Sequence, residues 1–156
     1  MSLRAQELHR TADGQIAELA ERLSTAAEQD LTRPCPSRAR LGDGTVGAVA
    51  AHTTDNYHRI ARFVATLRDG DEQHQPGQHG EGYRASEIEL DVLLARLATA
   101  RDALATIGQL SDAQMDSVPP NGVVRFADGE RTLEQIVASL LKHQRHQVDA
   151  LAAGLS

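Results

Sequence analysis

The sequence of 156 residues has few aromatic residues and a single cysteine. Phe, Tyr and Trp together make up 3% of the chain, and Trp does not occur. A core without large rings must be filled by Leu, Ile, Val and Ala, which favours helices packed on helices. The lone Cys35 excludes an internal disulfide, and the N-terminal stretch lacks the apolar core of a signal peptide. Both features predict a cytoplasmic protein.

Two further absences narrow the range of partners. No apolar run approaches the roughly 18 residues that a membrane span needs, so we expect no membrane partner. The net charge is −6, with 22 acidic and 16 basic residues interspersed. We therefore expect no nucleic-acid partner, because phosphate binding needs a basic face. The hydrophobic content of 40% suits one domain over residues 1–156.

Four segments carry the periodicity of amphipathic helices. The third and fourth begin with the spacing of a capping box, Ser86 to Glu89 and Thr132 to Gln135. A polar, Gly-rich stretch after the second segment predicts a long crossover loop. A short apolar run between Asn-Gly and Asp-Gly dipeptides predicts a small β-ribbon or turn before helix four. The predicted fold is therefore all-α, a four-helix bundle. Its helices are expected at about 3–29, 45–68, 86–107 and 132–151.

The fourth helix carries two histidines that we expect to face different ways. A 3-4-3-4 spacing predicts a buried seam formed by Leu133, Ile136, Leu140, His143, Gln147 and Ala150. His143 and Gln147 are thus predicted at the inner edge. His146 lies about 150° from the mean apolar direction and should face water.

The second helix repeats this arrangement. His52 and Asn56 fall on the edge of its apolar stripe, whereas His58 falls on the opposite, wet side. Two bundle helices each deliver one edge-facing imidazole, and at similar heights the two rings could share a cation. The alternative is that each histidine is a core residue with local hydrogen-bond partners.

The segments "AVAAHTTDNYHRI" and "LLKHQRHQVDAL" resemble the DinB-like superfamily of metal-binding four-helix bundles, which includes mycothiol-dependent maleylpyruvate isomerases and bacillithiol transferases. The resemblance covers nearly the whole chain. The usual pattern is one His early on helix two and an H-x-x-x-H pair on helix four. It implies His52 and His143 as metal ligands. The third position falls on Gln147, where the family usually has His, with His146 as the alternative third ligand.

The resemblance implies a thiol-dependent S-transferase or isomerase that acts on a small-molecule substrate. Such an enzyme would use Zn²⁺ or Ni²⁺ and a low-molecular-weight thiol such as mycothiol. Asn56 is the candidate cofactor-binding residue, and Asp55 and Arg59 are candidate catalytic residues. Asp55 could orient an imidazole, and Arg59 could pair with a substrate carboxylate. The alternative for each, which residues of these types favour on a helix, is a solvated position on the surface.

Gln147 leaves three outcomes open, because a carboxamide oxygen is a weak ligand for a borderline metal. The metal could bind loosely through Gln147 or a water, helix four could turn to bring in His146, or the site could be lost. In the last case the protein would be a non-catalytic module that binds a small ligand or serves a stress response. The Ala-rich helices one and two could also pack across a two-fold axis, as in a homodimer.

Overall fold

The computed structural model describes residues 2–36, 41–69, 83–122 and 126–156. The regular secondary structure in these ranges is helical, so the all-α prediction is confirmed. One isolated antiparallel bridge joins Pro34 to Thr45. Short 3₁₀ helices occupy Glu28–Thr32, Ala85–Glu87 and Leu104–Gln109. The α-helices are α1 (Leu3–Ser24), α2 (Val46–Asp69), α3 (Leu90–Ala103), α4 (Asp112–Asp116) and α5 (Leu133–Leu155).

Four of these helices pack around a common core. The α1 helix contacts α5 and the 3₁₀ segment Leu104–Gln109 that prolongs α3, and α2 contacts α3 and α5. This arrangement is compatible with a four-helix bundle. The predicted crossover falls largely on 70–82, and Val123 and Val124 of the predicted ribbon also lie outside the described residues. Within the described ranges, no helix combines the length and apolarity needed to cross a bilayer.

Aliphatic side chains fill the core, as the shortage of aromatic residues predicts. Each such side chain stabilises the fold by roughly 1.5–3 kcal/mol when it is fully buried. The rings of Phe63 and Phe126 meet edge to face, with centroids 5.9 Å apart, and connect α2 to the segment before α5. The largest fully buried side chains are Tyr57, Phe63, Ile16, Leu19, Leu23, Leu31, Ile60, Leu97, Leu104, Ile107, Leu110 and Met115.

The α5 helix begins where the sequence predicts. The Thr132 hydroxyl accepts a hydrogen bond from the Gln135 backbone N–H at 3.2 Å, and Gln135 Oε1 accepts one from the Thr132 N–H at 2.9 Å. The capping box at this helix is thus confirmed. In the preceding turn, Asp128 Oδ1 accepts from the N–H groups of Glu130 and Arg131.

The predicted start of the third helix is wrong. Residues Ala85–Glu87 form a 3₁₀ turn, and α3 begins only at Leu90, after Glu89, whose side chain makes no capping bond. The carboxylate of Glu28 accepts a hydrogen bond from the Leu90 N–H at 3.0 Å. A side chain distant in sequence therefore supplies the cap that the local pattern assigns to Ser86.

The short α4 helix is absent from the sequence predictions. It has a capping box of its own, because Ser111 Oγ accepts from the Gln114 N–H and Gln114 Oε1 accepts from the Ser111 N–H. Met115 anchors this single turn in the core, where its side chain is fully buried. The Ser-x-x-Gln spacing was the signal that could have revealed it.

A buried polar bridge connects three helices. Gln15 of α1 donates from Nε2 to the Leu141 carbonyl of α5 at 3.0 Å, and its Oε1 accepts from the Tyr57 hydroxyl of α2 at 2.8 Å. Burial raises the pKa of Tyr57 above its ordinary value, so the phenol stays protonated and remains a donor. The bridge fixes the rotation of α1, α2 and α5 relative to one another.

Replacing Tyr57 with Phe should lower the free energy of unfolding by about 1–3 kcal/mol, because Gln15 Oε1 would stay buried without a donor. Urea unfolding of the two proteins measures the difference. The double variant Gln15→Met/Tyr57→Phe removes both partners and should recover part of the loss. An unchanged stability of the single variant would contradict the role of this bridge.

Asp128 should make the fold sensitive to acid. Hydrogen bonds from the backbone of Arg131 and Glu130 lower its pKa from 3.8 to about 2. A carboxylate with a lowered folded-state pKa stabilises the fold above pH 3.8 and loses that effect as the pH falls through 2. Asp128→Asn should therefore flatten the fall in melting temperature across that range. An acid profile of Asp128→Asn that matches the wild type would contradict this role of Asp128.

Candidate functional site in the groove between α2 and α5

One hydrogen bond sets how α5 lies against α2. Gln144 donates from Nε2 to the Thr53 carbonyl at 2.8 Å, and the Gln144 side chain is only 1% exposed. Further along, Gly154 lies so close to Val46 that a Cβ built on the glycine would stand 3.0 Å from Val46 Cγ2. Residue numbers rise along α2 as they fall along α5, so the two helices run antiparallel.

The two candidate histidine ligands stand at the same level of this helix pair. His52 is the chain neighbour of Thr53, and His143 is the chain neighbour of Gln144. Each Cα is therefore about 3.8 Å from that of a residue in the interhelical hydrogen bond. His52 is half-buried, and its Nδ1 atom is buried completely. The prediction that His52 lies at the edge of the α2 core stripe is confirmed.

His143 is exposed, so the prediction that it lies at the inner edge of the bundle is wrong. The buried face of α5 is centred on a different seam. His143 is rotated about 100° from Gln144, which occupies the core position instead. The residues of the seam that is buried are Val137, Leu141, Gln144, Val148 and Leu151.

The flank of α5 that carries His143 nevertheless borders α2. Gly154 follows His143 by eleven residues, which brings it back to within about 20° of the same direction, and Gly154 contacts Val46 of α2. By the same geometry, His52 shares a flank of α2 with Phe63. The Phe63 ring contacts Phe126, just before α5. Both histidines therefore border the α2–α5 groove, His52 half-buried and His143 at its solvent-exposed rim.

Gln147 and His146 lie as predicted from the helical geometry. Gln147 is one turn beyond His143, is rotated about 40° toward the core, and is 4% exposed. His146 is exposed. The third ligand position is thus occupied by a buried amide, whereas the alternative imidazole faces solvent.

Two of the three supporting residues border the same groove. Asn56 lies one turn beyond His52 and is half-buried, and Arg59 Nη1 is 3.5 Å from Asn56 Oδ1. Asp55 instead faces α3, where its carboxylate accepts hydrogen bonds from the Tyr83 hydroxyl and the Arg96 guanidinium. Both carboxylate oxygens are engaged there, so the structure does not support Asp55 as the residue that orients His52.

His58 was predicted to face solvent, and this prediction is wrong. It is half-buried, and its Nε2 lies 2.9 Å from the Arg96 carbonyl oxygen. Since a carbonyl oxygen only accepts, Nε2 carries the proton. His58 therefore belongs to the contact between α2 and α3.

Gln144 is the site residue that the sequence predictions missed. Its Oε1 atom is buried and has no hydrogen-bond partner among the described residues, although Nε2 binds Thr53. The signal was a second seam on the same helix, Val137–Leu141–Gln144–Val148–Leu151, with spacing as regular as that of the seam through His143.

The donor set of the groove is two imidazoles and an amide. Imidazole nitrogen is a good ligand for Zn²⁺ or Ni²⁺, and an amide oxygen is a poor one. Within the described ranges, no group of three or more His, Cys, Asp or Glu side chains is placed to hold a metal ion. The residues present thus fit an open, weakly bound ion rather than a closed structural site.

Comparisons of the chain with protein-family models, with curated proteins and with solved structures find no match. The DinB-like resemblance stays a prediction that rests on the two quoted segments.

Proposed function

We propose that the protein is a DinB-like four-helix bundle that holds a divalent metal ion in the α2–α5 groove through His52, His143 and Gln147. The ion would serve a thiol-dependent S-transfer or isomerisation on a small-molecule substrate. The hydrogen bond between Gln144 and the Thr53 carbonyl carries this proposal, because it holds the two histidine-bearing turns at one level.

The open rim of the groove suits a site that exchanges ligands. His143 is exposed, whereas His52 and Gln147 are held within the helix contact. A bound divalent ion would supply Lewis acidity, lowering the pKa of a thiol or water beside it. Asn56 would form a hydrogen bond with the thiol cofactor. Arg59, on the same flank, would pair with a carboxylate of the electrophile.

Metal affinity tests the ligand set directly. Protein freed of any affinity tag should bind Ni²⁺ or Zn²⁺ in a calorimetric titration. His52→Ala and His143→Ala should each weaken binding by about tenfold or more, because each removes an imidazole ligand. His146→Ala removes an exposed imidazole from the same helix and should bind as the wild type does. Equal losses in all three variants, or in none, would exclude this ligand set.

Gln147→His offers a gain-of-function test. A third imidazole in place of the amide should tighten Ni²⁺ or Zn²⁺ binding by roughly 10–100-fold, since it replaces a poor ligand with a good one. Circular dichroism melting establishes that the variant folds. A folded Gln147→His protein with wild-type affinity would show that position 147 does not contribute to a metal site.

A non-catalytic module that binds a small ligand is the second candidate function. The observation that favours it is the buried amide of Gln147 at the position where the resemblance expects a ligand histidine. The two functions differ in turnover. Metal-loaded protein should consume a low-molecular-weight thiol in the presence of an electrophile only if the first proposal holds. A folded wild type that binds neither Ni²⁺ nor Zn²⁺ supports the second.

A further inference from the structure

A second groove lies between α2 and α3, on a different flank of α2 from His52. It has a volume of about 540 Å³, within the usual range for small-molecule sites. Its apolar lining includes Ala61, Ala65 and Ala103, whose small side chains create the space. His58 begins this lining on α2 and is rotated about 120° from His52 around the helix axis. The two grooves are therefore separate surfaces.

The polar side chains of this groove are cationic or neutral. Arg62 and Arg96 line it together with the hydroxyl groups of Thr99 and Thr106. None of the described side chains that line it is acidic, although the chain carries 22 acidic residues and a net charge of −6. The described lining therefore carries positive charge, and that charge attracts an anion.

The two arginines differ in their availability. Arg96 is tied to the Asp55 carboxylate, and its backbone carbonyl accepts a hydrogen bond from His58 Nε2. These contacts hold one wall of the groove in place. Arg62 makes no ion pair with any described residue and is exposed. Among the described residues its guanidinium is therefore available to a ligand, with two parallel N–H donors that match a carboxylate.

We propose that the α2–α3 groove binds a small organic carboxylate with a compact hydrophobic body. Arg62 pairs with the carboxylate, and the three alanines contact the hydrocarbon part. The hydroxyl groups of Thr99 and Thr106 border the ligand while they donate to the carbonyl oxygens of Ala95 and Ala103. Arg96 adds positive charge but serves mainly to hold the wall, because Asp55 already neutralises much of its field. The site is independent of any metal in the α2–α5 groove.

Benzoate is a suitable probe, and benzamide is its neutral counterpart of the same shape. In a titration of ¹⁵N-labelled protein followed by NMR, benzoate should shift amide signals around Arg62, Thr99 and Thr106. Arg62→Gln should weaken benzoate binding about tenfold, since a charge-assisted hydrogen bond is lost. Ala65→Leu should also weaken binding by filling the groove. Arg10→Gln, at an exposed position of α1, is the matched control and should leave affinity unchanged.

The same experiment can overturn the proposal. If benzamide binds as tightly as benzoate, the charge of the ligand does not contribute to binding. If inorganic phosphate binds as tightly as benzoate, the apolar surface of the groove does not contribute. Unchanged affinity in a folded Arg62→Gln protein, or signal shifts confined to other surfaces, would each exclude the groove. Arg62 is exposed, so its substitution should leave the fold intact, and thermal melting checks this.

Discussion

The amide of Gln144 is the constraint on which the geometry of α5 depends. A fully buried amide must find a partner, because an unsatisfied buried polar group costs about 1–3 kcal/mol. Its Nε2 binds the Thr53 carbonyl, which turns the Gln144 face of α5 toward the core. His143 is thereby carried to the rim of the groove, and Gln147 is carried inward. The placement of both residues follows from a hydrogen bond made by their neighbour.

The sequence predicted the presence of the long helices but not the rotation of α5. Two seams with 3-4 spacing run along this helix, one through Leu140 and His143 and the other through Leu141 and Gln144. Hydrophobicity separates them only slightly, since the first contains two polar residues, His143 and Gln147, and the second contains one, Gln144. The α2 helix decides which seam is buried, because its Thr53 carbonyl accepts a hydrogen bond from Gln144. A periodicity within one helix holds no information about such a partner.

Some helices begin at a cap that lies next to them in sequence, and others begin at a cap supplied from a distant part of the chain. The box at Thr132 and Gln135 was predictable because both partners lie within one turn. The start of α3 was not predictable, because its cap is the Glu28 carboxylate, 62 residues earlier in the chain. Local spacing therefore identifies a cap only when no better acceptor arrives through tertiary packing. The edge position of His52 was predicted correctly from the periodicity of α2 alone. The half-buried position of His58 was not, because it depends on the contact with the Arg96 carbonyl of another helix.

The α2 helix carries two chemically different surfaces, which lie on different flanks of the helix. On the flank toward α5, the imidazole of His52 and the amide of Asn56 are possible ligands for a cation, with the guanidinium of Arg59 beside them. On the flank toward α3, Arg62 and Arg96 present fixed positive charge above small side chains, which suits an anion. Asp55 pairs with Arg96 and neutralises much of that charge, so the net positive charge of this flank comes mainly from Arg62. A metal ion on the first flank and a carboxylate on the second would thus occupy separate surfaces of a single helix, about 120° apart, and neither would displace the other.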